Sequence, residues 1–271
     1  MKICVVGGGS AGWITLSYLV ATIDADITIV HSDEVDPIGV GESTTPTIKH
    51  VADTVGVNEK EWMKDAKATF KYGVEFHDWV KPGSRWLHSF DDMIPHQSFN
   101  RPITENGKEL YKKELTSVDY YLKKYGNTKD SKYFNESHGP QEHLLANNLS
   151  PKDKNFKTNI SEYPGYSYHI NAFQFGESLR KHTAKDKFTE IVGTVNKIHT
   201  DKQNISAIEL STGQKIEADI FFDCTGFKRL LIGTMSSWKH YDELINDRAI
   251  WGTIKTQSCN PVTSAHAQPY G

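Results

Sequence analysis

The chain has 271 residues, 37% hydrophobic and 24% charged, with a formal net charge of −3, which suits a globular protein with a sizeable core. That charge argues against a nucleic-acid binder that works by neutralising phosphates, and no run of Lys and Arg marks a tail or a membrane patch. Cys4, Cys224 and Cys259 lie far apart, give no CxxC or zinc spacing, and suit a reducing cytoplasm.

The chain opens on KICVV (2–6), a short buried strand. The glycine turn GGGSAG follows, then a mainly apolar helix over 13–23 and a second strand, ITIV (27–30). Strand, glycine turn, helix and strand are the opening of a doubly wound α/β fold. The amino terminus is not read as a signal peptide, because the glycine turn interrupts the apolar run and no cleavage pattern follows. The helix is too short to span a bilayer. DPIGVGESTTP (36–46) reads as a loop whose last Pro starts a helix over TIKHVADTVG.

ATFKYGVEFHDW (68–79) reads as one alternating strand. Phe70, Tyr72, Val74 and Phe76 fall on one face, and Lys71, Gly73, Glu75 and His77 on the other. By itself this pattern makes Lys71 a solvated charge, and Glu75 either its partner or a water-facing carboxylate. From Lys81 to Pro164 the texture turns polar and aromatic, with a helix expected through KELYKKELTSVDYYLKKYG (108–126). Asp91-Asp92 reads as a solvated turn. NAFQFGESLRKHTAK (171–185) is the next helix. Alternating runs follow through ADIFFDCTG, with TGQ as a hairpin turn. The domains drawn are a discontinuous cofactor module (1–80 and 165–235), an insert (81–164) and the start of a substrate domain (236–271).

Gly7-Gly8-Gly9-Ser10-Ala11-Gly12 fits G-x-G-x-x-G between a strand and a helix. Gly7 permits the tight turn, Gly9 the approach of a pyrophosphate, and Gly12 close helix–strand packing. The helix N-terminus then offers free N–H groups. The motif does not choose between FAD and NAD. The acidic residue expected at the end of the second strand is replaced by His31, so either His31 meets the ribose or Asp33 or Glu34 reaches back. The late strand ending in DCTGF resembles the signature of two-dinucleotide-fold flavoproteins and favours FAD.

GGGSAGW, GVGESTTP, FKYGVEFHDW, and YHINAFQFGESLR followed by DCTGF together resemble the flavin-dependent halogenases of the tryptophan halogenase family. The resemblance implies a Rossmann-like FAD-binding α/β fold with a helical or irregular substrate insert. It implies FADH2 supplied by a separate flavin reductase, and O2 with chloride or bromide as co-substrates. Hypohalous acid then passes through a closed tunnel to a lysine beside a small, indole-like aromatic. That lysine matches Lys71. Burial would bring both its ammonium and its amine within reach, the first polarising an O–X bond and the second forming a haloamine. The cofactor contacts implied are Gly7, Gly9, Ser10, Ala11, Gly12, His31, Gly41, Glu42, Ser43, Val192, Asp223 and Gly226.

Family members also carry W-x-W-x-I-P and Pro-Leu-Glu-Ser-Thr-Gly segments, and neither occurs here. Either the chain is part of a longer protein or it is a shortened relative, and weak or no activity alone is expected. A flavin-dependent aromatic monooxygenase and a non-catalytic FAD-binding module are the alternatives. No metal is expected, because the 12 histidines include no HExxH spacing. The setting is read as cytoplasmic, with no nucleic-acid or membrane partner.

Overall fold

The computed structural model describes residues 1–34, 42–90, 99–105, 108–115, 117–126, 140–157, 165–201, 204–243, 248–252, 254–255 and 258–269. Its first elements are β1 (Lys2–Val6), α1 (Ser10–Thr22), β2 (Asp26–His31), β3 (Glu42–Ser43), α2 (Thr47–Val55), α3 (Glu59–Asp65), β4 (Thr69–Lys71), β5 (Gly73–His77) and β6 (Arg85–Ser89). Next come β7 (Phe99–Glu105), β8 (Lys108–Leu115), α4 (Ser117–Tyr125), α5 (Gln141–Ala146), β9 (Ser167–Ile170) and α6 (Ala172–His182). The last are β10 (Thr189–Val192), β11 (Val195–Asp201), β12 (Asn204–Leu210), β13 (Lys215–Glu217), β14 (Ile220–Asp223) and β15 (Val262–His266). Among the described residues, no helix is long and apolar enough to cross a membrane.

The chain forms two compact units. Unit 1 comprises 1–42, 47–68 and 169–255, and unit 2 comprises 43–46, 69–168 and 256–271. Unit 1 is built on a parallel sheet of order β10-β2-β1-β14. Every residue of β1 after Lys2 is buried, the continuous apolar pattern of a strand covered on both faces. Helices α1 and α6 cover one face, where Ser17 and Thr183 share a buried hydroxyl–hydroxyl bond of 2.7 Å. On the other face Cys4, Val6 and Val30 pack against Ile208, Leu210 and Ile216 of the antiparallel sheet β11-β12-β13. Burial pushes the Cys4 thiol up to about 12, so it is an inert core group. This is the Rossmann-like α/β architecture the glycine turn predicts. Helix α3 is an addition to the sequence reading. Asn58 caps it by accepting from the Lys60 and Glu61 amides at 3.0 and 3.3 Å, a signal legible in Asn58-x-x-Glu61.

Unit 2 departs from the sequence reading in three places. The single strand expected over 68–79 is broken at Tyr72. The Tyr72 amide donates to Pro261 O (2.7 Å), its carbonyl accepts from Phe90 (2.9 Å) and its hydroxyl donates to Leu149 O (2.6 Å), so three separate segments hold it. Lys71 and Glu75, which the pattern alone assigned to solvent, are buried, 3% and 8% exposed, and Tyr72 of the opposite face is buried as well. On the opposite face Phe76 is half-buried and stacks on Trp86, ring centroids 4.4 Å apart. The helix expected over 108–126 is half strand. Residues 108–115 pair with β7 from Phe99↔Leu115 to Glu105↔Lys108, and only 117–125 are helical. Hairpin pairing there outweighs the helical preference of Lys, Glu and Leu. Strands β15-β5-β6 form a second sheet of this unit. Asp91 and Asp92 lie outside the described residues.

Candidate functional site

In unit 1 the first three residues of the glycine motif, Gly7 to Gly9, form the turn out of β1. Gly7 has φ 122°, and its amide donates to Val30 O at 2.8 Å. A Cβ on Gly7 would lie 2.2 Å from the Cys224 carbonyl oxygen, and one on Gly12 would lie 1.8 Å from that of Gly7. These contacts demand glycine. Gly9 differs, since a Cβ there would meet nothing within 4 Å. Gly9 is the N-cap of α1 and makes no side-chain capping bond, which leaves the first-turn N–H groups of Ser10, Ala11 and Gly12 available to an anion.

The neighbouring strand ends complete this rim. His31 ends β2 and is register partner to Val192, the half-exposed last residue of β10. Gly8 packs on His31, where a Cβ would lie 2.6 Å from that of the imidazole. The ring stands edge-on to Trp13 at 5.6 Å, and its Nε2 is 2.9 Å from Glu190 Oε1. Glu190 also meets Arg180 and Lys185. Burial pushes the Glu190 carboxyl up, but the His31 hydrogen bond and the two cations outweigh it and hold it below the ordinary value. The sequence reading missed Glu190, which lies 159 residues from His31 and comes close only through β10–β2 pairing. Asp33 Oδ1 stands 3.7 Å from His31 Nδ1 with its side chain 78% exposed, while Glu34 accepts from Thr194 Oγ1 at 2.9 Å.

Asp223 ends β14 and turns back on its own loop. It accepts from the Thr225 hydroxyl (2.6 Å) and from the amides of Thr225 (3.1 Å), Leu231 (2.9 Å) and Ile232 (2.8 Å). Burial raises its pKa, and these four bonds more than reverse that. Gly226 follows with φ 61°. Gly7, Gly9, Ser10, Ala11, Gly12, His31, Val192, Asp223 and Gly226 therefore gather at the carboxyl ends of one parallel sheet, where such sheets bind ligands. A cavity of about 730 Å³ lined by Ile23, Asp24, Asp186 and Phe188 lies at the amino ends of β2 and β10, away from this rim. Glu42 and Ser43 form the short, exposed β3. Gly41 lies outside the described residues.

In unit 2, Lys71 ends β4. Its ammonium donates to the Ser43 hydroxyl and to Thr44 O (3.2 Å), and it stands 4.9 Å from the centroid of the Phe90 ring. Among the described residues no carboxylate is within ion-pair distance, and burial lowers its pKa. Glu75 neither pairs with Lys71 nor faces water, as the strand pattern had suggested. It accepts from Arg85 Nε at 2.7 Å and shares a 2.5 Å contact with His77 Nε2. The arrangement leaves a buried amine without a carboxylate partner among the described residues, able to act as a hydrogen-bond donor or, deprotonated, as a nucleophile.

A family model described as tryptophan halogenase matches residues 2–271. Tryptophan 7-halogenase RebH of Lentzea aerocolonigenes is 29% identical over 287 residues, covering 100% of this chain and 52% of that protein. Tryptophan 6-halogenase SttH of Streptomyces toxytricini is 30% identical over 265 residues, covering 92% of this chain and 49% of that protein. Among solved structures, Tar14, a tryptophan C-6 flavin-dependent halogenase from taromycin biosynthesis, superposes with a TM-score of 0.76 at 28% identity, covering 99% of this chain and 52% of that one. The chain spans about half the length of the curated relatives it matches.

Proposed function

The chain belongs to the tryptophan halogenase family, and on that premise we propose that it serves flavin-dependent halogenation of an indole-like or other electron-rich aromatic ring. The observation that carries the reading is the amine of Lys71, buried to 3% exposure with hydroxyl, carbonyl and ring neighbours. A structural lysine is seldom buried without a carboxylate.

The rim of unit 1 fits a dinucleotide, because its glycines clear backbone for close approach and the uncapped first turn of α1 offers N–H donors. Gly7, Gly9, Ser10, Ala11 and Gly12 would hold the FAD pyrophosphate. His31, Val192, Asp223 and Gly226 border it, and Gly41, Glu42 and Ser43 are the further contacts proposed. When bound as FADH2, the cofactor would supply two electrons to O2, and the partly reduced oxygen would oxidise chloride or bromide to hypohalous acid. Lys71 then acts on that acid. As ammonium it donates a hydrogen bond to the oxygen and polarises the O–X bond. As amine it takes the halogen and releases water. A separate flavin reductase would supply FADH2, and the unpaired Cys4, Cys224 and Cys259 suit a cytoplasmic setting.

The test is to incubate the chain with FAD, a flavin reductase, NADH, bromide and an indole, and to analyse the products by mass spectrometry. Weak or no halogenated product is expected from the chain alone, and Lys71→Ala should abolish any that forms while flavin reoxidation continues. Hydroxylated product unaffected by Lys71→Ala would replace this reading with an aromatic monooxygenase.

A further inference from the structure

Lys71 does not stand alone in unit 2. Ser43 Oγ, which accepts from the Lys71 amine, lies 2.7 Å from Thr263 Oγ1. Thr263 belongs to β15, paired with β5 in the register Thr263↔Val74, and is separated from Ser43 by 220 positions. Three strands thus bring a buried amine, an exposed hydroxyl and a half-buried hydroxyl into one line. A serine hydroxyl has one hydrogen and two lone pairs. While its oxygen accepts from the ammonium, its own hydrogen is free to point at Thr263 or at water.

We propose that Ser43, oriented by Thr263, is the positioning residue of the Lys71 amine and the route by which the amine's proton reaches water. This rests on the reading of Lys71 given above. The chemistry requires it because Lys71 is 3% exposed while Ser43 is exposed. A proton leaving the amine passes to Ser43 Oγ as the Ser43 O–H proton passes to water, and charge and atoms balance. The groups contacting the amine from the packed elements are uncharged: Ser43 at the end of β3, Thr44 just after it, and Phe90 after β6. The charged groups on β5 and β6, Glu75 with His77 and Arg85, are bonded to one another. Ser43 is therefore the described hydroxyl that distinguishes ammonium from amine. Its lone pair favours the charged form against the burial that disfavours it.

The experiment is an NMR titration of the full chain labelled with 13Cε-lysine, with Lys71→Ala identifying the Lys71 signal. In the wild type, Lys71 should titrate below its ordinary lysine value. Ser43→Ala should move the midpoint further down, raising the neutral fraction about tenfold at a given pH. Ser43→Thr should restore it, and Thr263→Val should shift it the same way by less. A depressed Lys71 midpoint unmoved by Ser43→Ala and Thr263→Val would overturn this inference while leaving the catalytic reading intact. A wild-type Lys71 titrating like an exposed lysine would overturn both. Should Ser43→Ala unfold, Thr263→Val decides.

Discussion

Around the glycine turn of unit 1 the chain removes side chains so that backbone meets backbone. Gly7 sits against the Cys224 carbonyl and Gly12 against that of Gly7. At the lysine strand of unit 2 the chain instead buries a long charged side chain and surrounds its tip with neutral acceptors and a ring. The first device creates donors by leaving a helix terminus uncapped. The second creates reactivity by denying a charge its usual solvent or counterion. The two regions should therefore respond oppositely to substitution. Adding atoms to the first should break the fold, and removing the charge from the second should relieve it.

The largest effect is expected where space is smallest. Gly12→Ala places a Cβ 1.8 Å from the Gly7 carbonyl oxygen, where backbone cannot give way. We expect a loss of about 3 kcal/mol, read as a lower urea midpoint at unchanged slope. Gly9→Ala enters open space and should change stability by no more than about 0.5 kcal/mol, while weakening FAD binding in a fluorescence titration. Equal losses from the two variants would mean the turn is packed throughout and holds no cradle.

How much of each region could be read in advance follows from how local its cause is. The turn, β1, α1 and β2 were legible because a buried parallel strand, a glycine spacing and an apolar helix are each written in a few adjacent residues. The strand pattern around Lys71 misled for a physical reason. Alternation identifies two faces, but which one is buried depends on what covers them. Here Ser43, Thr44 and Arg85 satisfy Lys71 and Glu75, while on the opposite face Tyr72 is buried and Phe76 stacks half-buried on Trp86. Family resemblance, not periodicity, placed chemistry at Lys71. Glu190 and Thr263 were invisible for the same cause, since each meets its partner across more than a hundred residues, Glu190 through β10–β2 pairing and Thr263 by a side-chain contact between strands of different sheets. The break at Leu115 between β8 and α4 was missed because local propensity favours helix on both sides of it.

Glu75 offers the next smaller effect and sharpens the contrast within unit 2, because it is a buried charge that is fully compensated. Burial raises its pKa, but the hydrogen bonds and charges of Arg85 and His77 bring it below the ordinary 4.5. Its contribution is therefore present above pH 4.5 and is lost as pH falls through the depressed value. Glu75→Gln should cost about 2 kcal/mol at neutral pH. The gap between wild type and variant should close in acid. A gap that persists unchanged well below pH 4.5 would show that the carboxyl acts by packing and not by charge.

Lys71 should give a smaller effect on stability than Glu75, and one of opposite sign. Its folded-state pKa is lowered from 10.5 by burial. Below that lowered value the ammonium is present in both the folded and the unfolded chain, and the folded one bears the full desolvation penalty. As pH rises from the lowered value towards 10.5, the unfolded chain holds a proton that the folded chain has released, so stability rises. Lys71→Met keeps the length and removes the charge. It should be about 1 kcal/mol more stable than wild type at pH 7, with the advantage fading above the Lys71 midpoint in urea unfolding series collected at successive pH values. A lysine retained only for the fold has no reason to oppose it. If Lys71→Met instead lowered stability at every pH, the amine would belong with the structural contacts of Glu75, and the proposed chemistry of this strand would lose its physical basis.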